Sequence, residues 1–292
     1  MLTYHFSIKF FECDVTNYAS QSQMFVDVVQ WSPAGRGILN CVIVNASVKE
    51  VGVLLESDDS INGKSGPAHT YRNTMSRANL AKTVAPPPPD LTTFNTNFLG
   101  SLYTIRLAHH FLRHSPSPAG DRHLLLMGSY SAFLHSPVVP LYSTAKHGLL
   151  GLFCSLRLTS LPHHKTRINM LAPYFVMTPI MPQIVKTLLV GQPLVELEDV
   201  VDSVIRMVGD ERIVGRVLAL GPQGWSEDVE VGGGLEEVET FSRRAVRALN
   251  MQYRGTMFLE KWGRIIRDVC ILLLAWLCLA TLSTLKRALK RE

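Results

Sequence analysis

Short, largely apolar runs of strand length, separated by segments of helical periodicity, constrain this chain more than any other feature. Ile38 to Val44 (ILNCVIV), Leu124 to Met127 (LLLM), Arg167 to Leu171 (RINML) and Arg212 to Leu220 have the strand character. His5 to Glu12 (HFSIKFFE) is strand-like as well. Asn17 to Gln30 opens polar and continues with Met24, Val28 and Trp31 at helical spacing, and further helices are expected over Leu91 to His114, Leu141 to Thr159 and Leu197 to Val208. A strand that shows no polar alternation is buried on both faces, and helices between such strands supply the cover. The fold class is therefore α/β, a parallel sheet with helices on both faces.

Two segments fall outside this rhythm. Residues 57 to 89 are rich in Ser, Asp, Asn and Gly and end in Pro86 to Pro89, which predicts an inserted surface loop with a stiff, extended end. Val269 to Leu285 (VCILLLAWLCLATLSTL) carries no charge. At about 1.5 Å per residue it makes a helix of roughly 25 Å, the short end of a bilayer span. Of 29 basic and 24 acidic residues, seven and two fall from Lys261 onward, so the net charge of +5 resides in this tail and the main body is balanced. A balanced body offers no basic face to nucleic acid. Cations flanking an apolar run are instead expected where side chains reach lipid headgroups, the alternative being a buried or subunit-packing helix. The expectation is a C-terminal membrane-anchor segment, 263 to 292, after a linker or helical segment, 226 to 262, and a main domain, 1 to 225. The main domain would then be cytosolic. Five widely spaced cysteines form no zinc-ligand cluster, so no metal is expected, and the N-terminus shows no secretory signal.

The chemistry concentrates in Met127 to Leu152, MGSYSAFLHSPVVPLYSTAKHGLLGL. Tyr142 and Lys146 stand four residues apart and share a helix face. A cation near a phenol in a desolvated site stabilises phenolate and lowers a pKa that is otherwise about 10, which would make the tyrosine a general acid and base near neutrality. Ser129 lies thirteen residues upstream, just after the strand-like LLLM.

With this spacing the sequence resembles the short-chain dehydrogenase/reductase family, in the texture of fungal natural-product dehydrogenases, over roughly residues 5 to 220. Further landmarks follow in order: Asp14 in CDVT, Asn45 in VIVNAS, Asn97 in NTNFLG, Arg106 nine residues later, and Val176 and Thr178 in PYFVMTP. The resemblance implies a Rossmann-like fold and an oxidoreductase that interconverts a secondary alcohol and a ketone with NAD or NADP. Tyr142, Lys146, Ser129 and Asn97 would be catalytic. Asp14, Asn45, Arg106, Tyr142, Lys146, Val176 and Thr178 would contact the cofactor. In that scheme Tyr142 exchanges the proton, Ser129 holds the substrate oxygen, Lys146 holds the ribose and depresses the tyrosine pKa, and Asn97 anchors a water. The substrate would be a small apolar alcohol or ketone of secondary metabolism, and a homo-oligomer is compatible with the family.

The same resemblance has a gap. The TGxxxGxG turn that binds pyrophosphate in this family has no counterpart before Asp14, and GPQGW and VGGGLEE come after the last expected strand. The expectation is an N-terminally truncated sheet in which His5 to Glu12 pairs with Ile38 to Val44, pairs elsewhere, or stands unpaired, with weakened dinucleotide binding. Ser47 and Tyr174 replace family glycines, crowding the backbone. The alternative from another class is a membrane-anchored relic, catalytically impaired, that serves as a binding protein.

Overall fold

Three parallel pairings and one antiparallel pairing build a single five-stranded sheet in the order β1-β2-β3-β4-β5. The computed structural model describes residues 7–32, 37–51, 54, 88–116, 120–134, 139–181, 186, 189 and 191–229. All of these lie in the first of two units, Met1–Glu239 and Thr240–Glu292. The strands are β1 (Cys41–Val44), β2 (His123–Met127), β3 (Arg167–Pro173), β4 (Val217–Leu220) and β5 (Ser226–Val229). The helices are α1 (Tyr18–Trp31), α2, α3 (Pro140–His164) and α4 (Leu197–Gly209). Here α2 denotes three contiguous stretches, Thr92–Phe94, a π-helical Asn95–Gly100 and Ser101–His114.

Alternation along the strands divides the core in two. Leu124, Leu126, Ile168 and Met170 pack on one face with Phe25 of α1, Ile105, Ala108 and Leu112 of α2 and Leu149 and Phe153 of α3. Leu125, Leu171 and Leu220 point to the other face and meet Val195 and Met207. With side chains alternating at period two, Leu124, Leu125 and Leu126 are all buried on one side or the other and Met127 is half-buried, which is why no polar position interrupts the run.

Two of the expected strand positions differ from the structure. Residues 7 to 12 form no strand. Ile8 and Phe10 are 98% and 87% exposed, and β1 pairs only with β2 among the described residues. Without a neighbouring ladder to join, this stretch leaves its backbone groups to water instead of to a sheet. Conversely, the sheet continues through Ser226–Val229, past the boundary placed at 225. GPQGW supplies the turn: Gln223 and Gly224 both have positive φ, and the Trp225 amide closes it on the Pro222 carbonyl at 3.3 Å. Most of the proline-ended loop and the whole of 230 to 292, including the apolar run 269 to 285, lie outside the described residues. Among the described residues no helix is long and apolar enough to cross a membrane.

The ends of the parallel strands differ in character. At their N-terminal ends Arg167, 2% exposed, binds both oxygens of Asp121 at 2.7 and 2.9 Å and donates to the carbonyls of Met207 and Val208, closing the C-terminus of α4. Beside it, Asn169 donates to the Ile213 carbonyl and to His123 Nε2. Ser129, Tyr142, Lys146 and Asn97 collect at the opposite, C-terminal ends, where open parallel sheets place ligands.

Candidate active site

At the exit of β2 the chain passes through Gly128, whose amide donates to the Leu171 carbonyl at 2.7 Å. A Cβ there would lie 3.0 Å from Met170 Sδ, so only glycine fits without displacement. Ser129 follows in extended conformation and accepts a hydrogen bond from the Ser131 amide at 3.1 Å, capping the short 3-10 turn Tyr130–Ala132. The turn thereby fixes the Ser129 hydroxyl against the first turn of α3, where Tyr142 lies.

Lys146, one helical turn beyond Tyr142, is only 4% exposed. Its ammonium donates to the Met127 carbonyl at 2.9 Å and lies 5.6 Å from the centroid of the Tyr142 ring. Burial lowers its pKa to about 8. The phenol shifts the other way. Desolvation raises the Tyr142 pKa, and hydrogen bonding from the hydroxyls of Ser129 and Ser47 offsets this only in part. The expected depression of the phenol by Lys146 is therefore absent here: loss of water dominates, and the lysine itself gives up proton affinity. The Ser47 contact falls short of a full hydrogen bond, and its buried Oγ closes no other among the described residues.

Asn97, fully buried in the π-helical stretch of α2, accepts from the Val48 amide at 2.7 Å and donates to the Val48 carbonyl at 2.8 Å. Thr93 makes the next clamp, donating to the Lys49 carbonyl at 3.1 Å and accepting from the Val51 amide at 2.7 Å. Four bonds therefore hold the segment leaving β1 against α2. A π-bulge reaims side chains within a helix and is often found at functional sites. From that segment Glu50 reaches the start of α3 and accepts from the amides of Leu141 and Tyr142 at 3.0 and 2.6 Å.

The remaining residues singled out from the sequence are dispersed. Asn45 is exposed just beyond β1. Val176 bridges Val195, and the Thr178 carbonyl accepts from the Met181 amide at 3.2 Å. Arg106 lies on the exposed face of α2, and the pKa of nearby His109 is lowered first by burial, then by His164 and Arg113, and only after these by Arg106. Asp14 is exposed and folds back on Thr16, whose amide and hydroxyl it accepts at 2.9 and 2.8 Å. Glu50 and Thr93 carry no sequence signal of their own. Ser47 stands out only as a departure from a glycine.

For a nicotinamide dinucleotide the two ends of the site differ. The nicotinamide-ribose end fits: a phenol, a buried ammonium that retains N–H groups beyond the one given to Met127, and the orphaned Ser47 hydroxyl gather where β1 and β2 end. At the adenine end, no glycine-rich turn precedes a helix among the described residues. The amides at the start of α1 are taken by Asn17.

Comparison with known proteins follows the same division. The short chain dehydrogenase family model matches residues 90–188, the stretch holding Asn97, Ser129, Tyr142 and Lys146. The chain is similar to 5'-hydroxyaverantin dehydrogenase of Dothistroma septosporum, 27% identical over 246 residues, covering 80% of this chain and 74% of that one. It is similar also to a 5'-hydroxyaverantin dehydrogenase of Emericella nidulans, 26% identical over 250 residues, with 80% and 76% covered. Among solved structures, 3-oxoacyl-[acyl-carrier protein] reductase from Brucella melitensis in complex with NAD shares the fold with a TM-score of 0.53 at 16% identity, covering 72% of this chain and 75% of that one.

Proposed function

We propose that this chain is a short-chain dehydrogenase/reductase, resembling the fungal 5'-hydroxyaverantin dehydrogenases, and that it interconverts a secondary alcohol and a ketone on an apolar natural product with NAD or NADP. The observation that carries this reading is the phenol of Tyr142 near enough to the Ser129 hydroxyl for that group to favour its phenolate, with the buried Lys146 ammonium 5.6 Å from its ring centroid. The nicotinamide supplies the hydride equivalent when bound. The chain's residues supply the proton and the positioning. With its pKa raised, the Tyr142 hydroxyl is protonated at neutral pH and suits donation to a carbonyl oxygen. Ser129 shares that oxygen and fixes its place. Lys146, already desolvated, offers its ammonium to ribose hydroxyls at little further desolvation cost. Other relatives carry the same cofactor class in their names, among them an NADP-dependent dehydrogenase of Cochliobolus lunatus. The relic reading is less favoured, because the phenol keeps the Ser129 hydroxyl nearby and the buried Lys146 ammonium beside its ring.

Two measurements test this. Millimolar NADPH or NADH should raise the melting temperature, and the absence of a shift with both would refute cofactor binding. Tyr142→Phe should retain that shift while turnover falls by about 10²- to 10⁴-fold, and unchanged turnover would remove the proton from Tyr142.

A further inference from the structure

Three residues at the start of α3 determine where Tyr142 stands. Val139, at the cap position, makes no side-chain bond to the helix end. Pro140 has no N–H to satisfy. The amides of Leu141 and Tyr142 both point to one acceptor, the carboxylate of Glu50, 91 and 92 residues earlier in the chain. Ser143 then begins the helical ladder by donating to the Val139 carbonyl at 2.9 Å. A carboxylate at a helix N-terminus is favoured both by the exposed amides and by the dipole.

We propose that Glu50 is a positioning residue for the reaction: it fixes the backbone of Tyr142 and thereby the distance of the phenol from Ser129. This rests on the reading of Tyr142 as the proton-transferring group. Glu50 does not float, because its neighbours Val48, Lys49 and Val51 are bolted to Asn97 and Thr93 of α2. α2 is in turn seated closely on α3: a Cβ on Gly148 would come within 2.9 Å of the Phe98 ring. The exit segment of β1 thus links the π-helical stretch to the reacting phenol through one carboxylate. The bonds go to backbone amides, so the residue acts through the tyrosine's main chain and needs no contact with substrate.

The test uses the full chain labelled at tyrosine Cζ with carbon-13, the Tyr142 resonance being assigned by its loss in Tyr142→Phe. In Glu50→Ala that resonance should move and broaden, while those of Tyr18 and Tyr103, which pack on each other at 5.4 Å between α1 and α2, stay in place. Glu50→Gln keeps an accepting oxygen and should restore the resonance in part, and it decides the question if the alanine variant does not fold. With NADPH or NADH and 2-acetylnaphthalene as probe ketone, kcat of Glu50→Ala should fall about ten- to hundredfold at unchanged KM for cofactor, with no further loss in the Tyr142→Phe background. A Tyr142 resonance unmoved in both folded variants, or an equal loss of rate in both backgrounds, would overturn the proposal. A wild-type chain that fails to turn over the ketone would count against the oxidoreductase reading alone, and the resonance would still decide the role of Glu50.

Discussion

Lys146 shows how far a single side chain can depart from its solution behaviour. Held at about 8 by desolvation, its ammonium is lost two or more pH units before an exposed lysine would lose it. If the charge holds the ribose, kcat/KM should decline above about pH 8, and a plateau extending to pH 10 would contradict this. The identity and spacing of Tyr142, Lys146 and Ser129 were legible in the sequence because helix geometry converts i, i+4 into adjacency and an apolar run announces the strand end. The direction of the tyrosine shift was not legible. It depends on how much water the fold removes from the phenol, and spacing carries no information on that. Glu50 was hidden for another reason: its partners are backbone amides, which have no residue type to recognise.

Among the elements, α3 governs the site, and its placement depends on a contact that the sequence marks only as a glycine. Gly148 meets Phe98 where the helix crosses the π-helical stretch, and a methyl group there would stand 2.9 Å from the ring edge. Gly148→Ala would gain up to about 1 kcal/mol of helix propensity and lose about 1–3 kcal/mol to overpacking, so a net destabilisation is expected in urea unfolding. A more stable variant would mean that Phe98 yields freely. Element boundaries also show where local rules fail. The helix expected to end at Thr159 runs through Pro162 to His164 and ends at left-handed Lys165. A proline in the last turn forfeits one N–H bond, and packing along the rest of the helix tolerates that loss. The antiparallel β5 escaped notice because SEDV lacks the apolar signature of a buried strand, being largely exposed at the sheet edge.

For the molecule as a whole, the parallel sheet separates two polar clusters by the length of its strands, and each responds to pH on its own scale. His123 is held neutral, its pKa lowered to about 4 by burial and then by Arg167. The Asn169 amide donates to its Nε2, so a second proton on the ring would displace that bond. The unfolded chain takes up this proton below about pH 6.5, whereas the folded chain resists until about 4, so stability is complete above 6.5 and declines as pH falls toward 4. The shift corresponds to about 3 kcal/mol. Urea unfolding at pH 7 and 4.5 should show most of that difference in the native chain and little in His123→Gln, and equal slopes would refute the assignment. The separation has a consequence for kinetics. An acid limb near pH 4 in a rate profile would record the protonation of His123 at the far rim of the sheet, and a pKa extracted from it would describe a histidine a strand's length from Tyr142.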